Sequence, residues 1–174
     1  MLPWFSNDFF MLFLCLFCLL CVCMCVCVCF LFFSSMADWA DYIKVALKDK
    51  LTEDVAVVGY VTNKAVWASK PGGFMAAISP PEVEALVGRD RGRLLRTEAT
   101  VGGEKVLVIR DSMMGSGSEP RFVDLHTVGV DGHAITVAKT QKALVFLMGK
   151  RGVHAGLVNQ KACAMAQYLK ENGV

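Results

Sequence analysis

The residues able to do bond-making chemistry in this chain are few and poorly spaced for it. After Met36 there are three histidines, His126, His133 and His154, with no pair four residues apart and no Cys-x-x-Cys, so this part offers no zinc-ligand set. No Gly-x-x-x-x-Gly-Lys-Ser/Thr or Gly-x-Gly-x-x-Gly occurs, and Gly115-Ser-Gly-Ser118 sits in a loop with no helix behind it, which leaves phosphate cradling unsupported. Asp111-Ser112 can be drawn beside a distant histidine as a hydrolase constellation, but no Gly-x-Ser-x-Gly elbow surrounds Ser112. These absences imply a binding protein, not an enzyme, with no metal and no cofactor.

The aromatic residues carry the binding signal. Trp39 and Tyr42 lie one helical turn apart, Trp67 sits in a short strand near a turn, and Tyr168 lies on the last helix. If the first and last helices are neighbours, these four rings form one exposed shelf. A shelf of this kind suits a polyproline II segment, which is already extended and has free carbonyls within reach of indole N–H and phenol O–H groups while its pyrrolidines stack on the rings. The same spacing also fits Trp39, Tyr42 and Trp67 as core residues, and spacing alone leaves both readings open.

The elements that must position these groups are legible. Trp39, Tyr42, Ile43, Ala46 and Leu47 recur at helical spacing, which predicts an amphipathic helix over 37–48 with Asp38 near its positive end. Val55 to Val61 is β-branched and reads as a buried strand, with Ala65 to Ala68 as its hairpin partner. Ser79-Pro80-Pro81-Glu82 combines an N-cap serine, proline at the first helical position and glutamate three residues after the cap, opening a helix that ends at Gly88. Further strands are expected at 105–110, 121–127, 133–139 and 143–148, separated by hairpin-length gaps that imply antiparallel pairing. Val158, Ala162, Met165 and Leu169 then mark one face of a final helix. The order predicts an α+β domain: a central antiparallel sheet with both terminal helices packed on it.

Charge changes abruptly at Met36. The chain holds 18 Lys and Arg against 16 Asp and Glu, and only Asp8 of these precedes Met36, so the domain that follows is mildly basic. That is too little to argue for a nucleic-acid groove. Its single cysteine, Cys163, excludes an intradomain disulfide and fits a reducing cytosol. Residues 1–35 form a separate Phe-, Leu- and Cys-rich stretch, apolar without break from Phe9 to Phe33 and long enough to cross a bilayer. Three readings apply: an upstream extension absent from the working protein, a signal-anchor, or a cleaved signal, although no cation precedes the run. If it inserts, Lys44, Lys48 and Lys50 place the following domain on the cytoplasmic side.

A family resemblance then emerges. Met36-Ala-Asp-Trp39-x-x-Tyr42-Ile43, Val58-Gly-Tyr60, Val66-Trp-Ala68, Ile78-Ser-Pro-x-Glu82-Val83, Gly102-Gly103, Val108-Ile-Arg-Asp-Ser112, Leu147-Met-Gly-Lys150 and Gly152-Val-His154-x-Gly156 with Asn159 occur in the order seen in profilins. From Met36 to Val174 the chain resembles that family, and Pro71-Gly-Gly-Phe74 and Ala76-Ala-Ile-Ser79 look more like its divergent minor vertebrate isoforms than the abundant one. The resemblance implies terminal helices together on one sheet face and short helices on the other. It implies a cytoplasmic, cytoskeletal, non-enzymatic adaptor that binds monomeric actin and regulates its polymerisation, and that also holds proline-rich proteins and phosphoinositide lipids at the membrane surface. The alternative is a polyproline- and lipid-binding module whose actin binding is weakened or lost.

Carried over residue by residue, the resemblance assigns polyproline binding to Trp39, Tyr42, Trp67, Tyr168 and Leu169, with Tyr168 standing where the family usually has His and Val174 where it ends in Tyr. It assigns actin contact to Lys105, Val108, Arg110, Val153, His154, Gly156 and Asn159. Phosphoinositide binding would fall to a basic set, Arg89, Arg91, Arg93, Lys105 and Lys170, the first three in a cluster with Arg96 that reads as a turn. Departures from the family pattern at His126, Ala134, Gln160 and Ala164 fall on polar actin contacts, where charge mainly sets on-rate and specificity.

Overall fold

In the computed structural model, Val55 to Val58 of β1 (Thr52–Gly59) and every residue of β7 (Ala143–Gly149) are buried, as strands covered on both faces require. The structure describes residues 39–96, 99–115, 119–130 and 132–174, so the apolar run of residues 9–33 and its three readings lie outside the described residues. Among the described residues no helix is long and apolar enough to cross a membrane. One seven-stranded antiparallel sheet runs in the order β2-β1-β7-β6-β5-β4-β3. The remaining strands are β2 (Val66–Ser69), β3 (Ala99–Val101), β4 (Glu104–Asp111), β5 (Phe122–Thr127) and β6 (Ala134–Lys139).

Alternation along the strands divides the core in two. Val55 and Val57 of β1 and Val145 and Leu147 of β7 face a layer made by α1 (39–47) and α4 (Ala155–Glu171), where they meet Ile43, Ala46, Ala162 and Leu169. Ala56, Val58 and Phe146 point to the other side, against Met75 of a short 3-10 turn (Phe74–Ala77), Val83 and Leu86 of α2 (Pro80–Val87) and Leu94 of α3 (Arg91–Arg96). The layer arrangement is the one the sequence predicts.

A helix as short as α1 is marginal in isolation, and α4 holds it in place. The Tyr42 hydroxyl donates to the Met165 carbonyl at 3.0 Å, and Lys161 Nζ reaches the Ala46 carbonyl, Asp49 and Thr52 Oγ1 at 2.9, 2.7 and 2.9 Å. The lysine hydrogen bond, with help from the Leu51 N–H, holds the Asp49 carboxyl below its ordinary range.

Two short elements differ from expectation. Residues around Arg89 to Arg96 read as a turn but contain α3, and β3 was not anticipated. Arg91 explains the first. Its Nε donates to Asp111 at 2.6 Å and its Nη1 to the Leu86 and Gly88 carbonyls at 2.6 and 3.1 Å, so this guanidinium closes the end of α2.

The opening of α2 forms as its residues predict. Ser79 donates from both its N–H and its hydroxyl to Glu82, at 2.7 and 2.8 Å, while the Gly103 N–H donates to the other carboxylate oxygen at 3.0 Å. Gly102 turns the chain into β4 at φ +58°, and a Cβ there would lie 2.4 Å from the Phe74 carbonyl oxygen. Burial raises the Glu82 carboxyl, but hydrogen bonds from Gly103, Ser79 and Thr100 outweigh it and hold the group below its ordinary 4.5. A depressed carboxyl contributes stability that is present above the unfolded value and lost as pH falls through the folded one. Glu82→Gln is therefore expected to lower stability by about 1 kcal/mol near neutrality and to weaken the loss of stability on acidification below 4.5. Urea unfolding near neutrality and well below that value measures both effects; an acid response identical to that of the unmodified chain would refute the assignment.

Candidate functional site

The four aromatic residues do come together. Trp67 on β2 and Trp39 at the start of α1 have ring centroids 5.6 Å apart, Trp39 and Tyr42 meet edge to face at 6.0 Å, and Tyr42 stacks on Tyr168 of α4 at 6.2 Å. Trp39, Tyr42 and Trp67 are half-buried against the helix-side core, while Tyr168 is 58% exposed. The result is a continuous row, Trp67–Trp39–Tyr42–Tyr168, its lower edge seated on the core and its upper edge open. Leu169 is not part of that open edge: at 5% exposure it belongs to the core beneath.

Backbone geometry explains why Trp67 lies flat. The indole rests on Gly59 of the neighbouring strand, where a Cβ would approach Nε1 to 2.5 Å. A lone glycine inside a β-branched strand is the sequence signal for such close approach. Two polar tips of the row are engaged internally. The Tyr42 hydroxyl donates to Met165, and burial followed by the neighbouring Tyr168 pushes this phenol well above its usual value, so it stays neutral. Trp67 Nε1 donates to the Asn63 side-chain oxygen at 3.2 Å.

A second site lies at the other end of α4 and across β4 and β5. Its centre is Asp124, a buried acid that no motif indicated. One carboxylate oxygen accepts from Arg110 Nε at 2.9 Å, with Nη2 in ion-pair contact at 2.7 Å; the other accepts from Thr136 Oγ1 and Asn159 Nδ2, each at 2.8 Å. Both oxygens are thereby satisfied. Arg110 also lies 4.5 Å over the Phe122 ring. Two residues expected at a partner surface are thereby fixed by one carboxylate.

His154 is the N-cap of α4, its Nδ1 accepting from the Gly156 N–H at 3.1 Å, and Gly156 is exposed beside it. Val153 packs on the helix-side core. Val108 is turned toward the short-helix core, whereas its neighbours Leu107 and Ile109 are 51% and 66% exposed. α4 lies mainly over β6 and β7, with little reach past β5, which leaves the helix-side face of β4 open. Those two residues were missed, although the alternation of a one-sided strand places them opposite Val106 and Val108.

The basic set does not converge. Arg89 and Arg93 are exposed around α3 on the short-helix side, Lys170 is on the last turn of α4 on the other side, and Lys105 is on β4 near the sheet edge. Arg91 is withdrawn into its pairing with Asp111, with 15% of its side chain exposed. Cys163 is half-buried, and burial and the nearby Asp124 push its thiol up, away from the reactive thiolate.

Comparison with known proteins places this geometry. The Profilin family model matches residues 37–174. The chain is similar to profilin-3 of Rattus norvegicus, 46% identical over 136 residues, which spans 78% of this chain and 98% of the relative. Among solved structures it resembles rat profilin 2a with a TM-score of 0.75 at 38% identity, over 80% of this chain and 99% of that one. It is also similar to mouse profilin IIa, determined in complex with a double repeat from the FH1 domain of mDia1, at TM-score 0.74 and 37% identity over 78% and 99% of the two chains. A family model spanning 37–174 and a relative 46% identical over nearly its whole length decide the matter: this chain belongs to the profilins.

Proposed function

We propose that residues 36–174 are the working domain and that it serves as an actin-monomer-binding adaptor that regulates polymerisation, holding a proline-rich partner on the aromatic row and actin on the face built around Asp124. The continuous row of rings carries the reading. Pyrrolidines pack on aromatic rings set side by side along one surface, and Trp67, Trp39, Tyr42 and Tyr168 supply such a series over consecutive centroid steps of 5.6, 6.0 and 6.2 Å. The mouse relative bound to an FH1 repeat supports a ligand of this type. With separate faces for the two partners, a filament-building protein receives actin already in hand, and encounter becomes a local event of high effective concentration.

On the second face, Leu107, Ile109 and Leu157 offer exposed apolar surface, flanked by Arg110, Lys105 and His154. Phosphoinositide lipids are the third partner class. Because the basic residues are divided between the sheet faces, the lipid reading rests on Arg89 and Arg93 as one group and Lys170 as another, with Lys105 on β4 shared with the actin face.

A second reading, a proline- and lipid-binding module with weak actin contact, draws support from His126. Its Nδ1 lies 3.0 Å from the Thr127 carbonyl oxygen and its ring crowds Gly132, so it does not stand out as a basic contact.

Trp67→Ala is expected to weaken binding of a proline decamer, followed by tryptophan fluorescence, by about 2 kcal/mol or more while leaving inhibition of pyrene-actin assembly unchanged. Loss of both activities, or of neither, would defeat the two-face assignment. Asp124→Ala is expected to do the reverse, sharply weakening actin binding because Arg110 and Asn159 lose their shared anchor, and to lower stability by about 2–4 kcal/mol. Asp124→Asn, which preserves shape, separates the two effects: if it binds actin like the unmodified chain, the anchor is not needed for recognition. Flotation with phosphoinositide vesicles should be retained at physiological salt and reduced by Arg89→Ala/Arg93→Ala; retention only at low salt would mark nonspecific attraction.

A further inference from the structure

We infer that Asn63 is an internal competitor for the Trp67 indole N–H and so sets how tightly the aromatic row holds a proline-rich segment. This inference rests on the polyproline reading and specifies a residue that the family pattern does not assign. A run of prolines has carbonyl acceptors and no backbone N–H, so every polar contact to it must be donated by the protein. Of the four polar tips on this row, two are already committed within the chain. The Tyr42 hydroxyl is committed to the Met165 carbonyl in a half-buried position, and the Trp67 N–H is committed to the Asn63 side-chain oxygen at 3.2 Å.

The two commitments differ in kind. Tyr42 ties α1 to α4, so releasing its hydrogen bond disturbs the packing of the helices. Asn63 is exposed in the turn between β1 and β2, four residues before Trp67, and can swing into water without moving either strand. Trp67 does not need Asn63 to keep its orientation. Its indole is held from below by the backbone at Gly59 and from the side by Trp39 at a centroid distance of 5.6 Å. Removing the asparagine amide therefore leaves the ring in place with its donor free. A ligand carbonyl that approaches Trp67 in the unmodified chain must first displace the Asn63 oxygen, and that exchange returns no additional hydrogen bond.

The test is a series at position 63 crossed with a change at Trp67. Titration with a proline decamer, followed calorimetrically, should give about two- to tenfold tighter binding for Asn63→Ala, the size of one exposed neutral hydrogen bond. Asn63→Asp, whose carboxylate is a stronger acceptor for the same N–H, should bind more weakly than the unmodified chain. In a Trp67→Phe background, which retains a ring but has no donor, Asn63→Ala should have no effect, so the double-mutant cycle reports the coupling directly. Without ligand, indole N–H exchange at Trp67 should be faster in Asn63→Ala than in the unmodified chain, a change that a purely structural role for the turn would not produce. If the decamer binds and Asn63→Ala is no tighter, or its effect persists in Trp67→Phe, the inference is overturned alone. If the decamer binds none of these proteins, including the unmodified chain, the polyproline reading fails and the inference fails with it.

Discussion

Burial of β1 and β7 on both faces is the constraint from which the rest of the structure follows. With α1 and α4 on one side and α2, α3 and the 3-10 turn on the other, the centre of the sheet accepts apolar side chains in both registers, and at the middle of β7 every residue is at 0–1% exposure. A polar group placed there would have to be satisfied without water. Binding chemistry is therefore displaced to the places where a covering layer ends: where β2 emerges beside α1, and where α4 fails to reach β4. The two candidate faces are consequences of how far two helices extend.

Asp124, like Asp54 on β1, is a buried acid that shows what such a position requires. It is buried on β5, yet Thr136, Arg110 and Asn159 satisfy both of its oxygens. The same carboxylate ties β4, β5, β6 and α4 together, so its cost of burial is offset by order at the one place where the sheet must present a surface instead of a core. Arg110 has 55% of its side chain exposed although it is paired. Its guanidinium is held in direction by Asp124 and by the Phe122 ring beneath it, which leaves one side of it available to a partner without the entropy loss of ordering a free arginine.

How much of this was legible follows from the range of each signal. The strands and α2 were readable because their evidence is local: β-branched runs for β1 and β6, a continuous apolar run for β7, and a serine, a proline and a glutamate within four residues for α2. α3 is only six residues long and carries Gly92, a poor helix former, in its first turn, and what stabilises it is Arg91 pairing with Asp111, a partner twenty residues away in sequence. β3 is three residues long and leaves no periodic trace. At the sites, the ring positions were legible from type and order, and what they touch was not. Val108 and Leu169 carried the right chemistry for a binding surface, but strand alternation and the α4 stripe point both inward. Asp124 was invisible because a lone acid in a strand reads as solvated until Thr136, Arg110 and Asn159 are brought to it.

At the far end of the aromatic row the backbone sets the position of the last ring. Val174 carries no ring, yet its backbone is held: the Val174 N–H donates to the Leu169 carbonyl at 3.0 Å, its carbonyl accepts from the Gln141 N–H at 3.4 Å, and Lys142 Nζ reaches the Gly173 carbonyl at 2.7 Å. Those bonds fix the last turn of α4 and hence the position of Tyr168. Tyr168 in turn lies nearly parallel to Tyr42, at an interplanar angle of 17°, which extends the flat surface by one ring and adds a hydroxyl at its tip. Tyr168 thus closes the row with an exposed ring whose hydroxyl can both donate and accept.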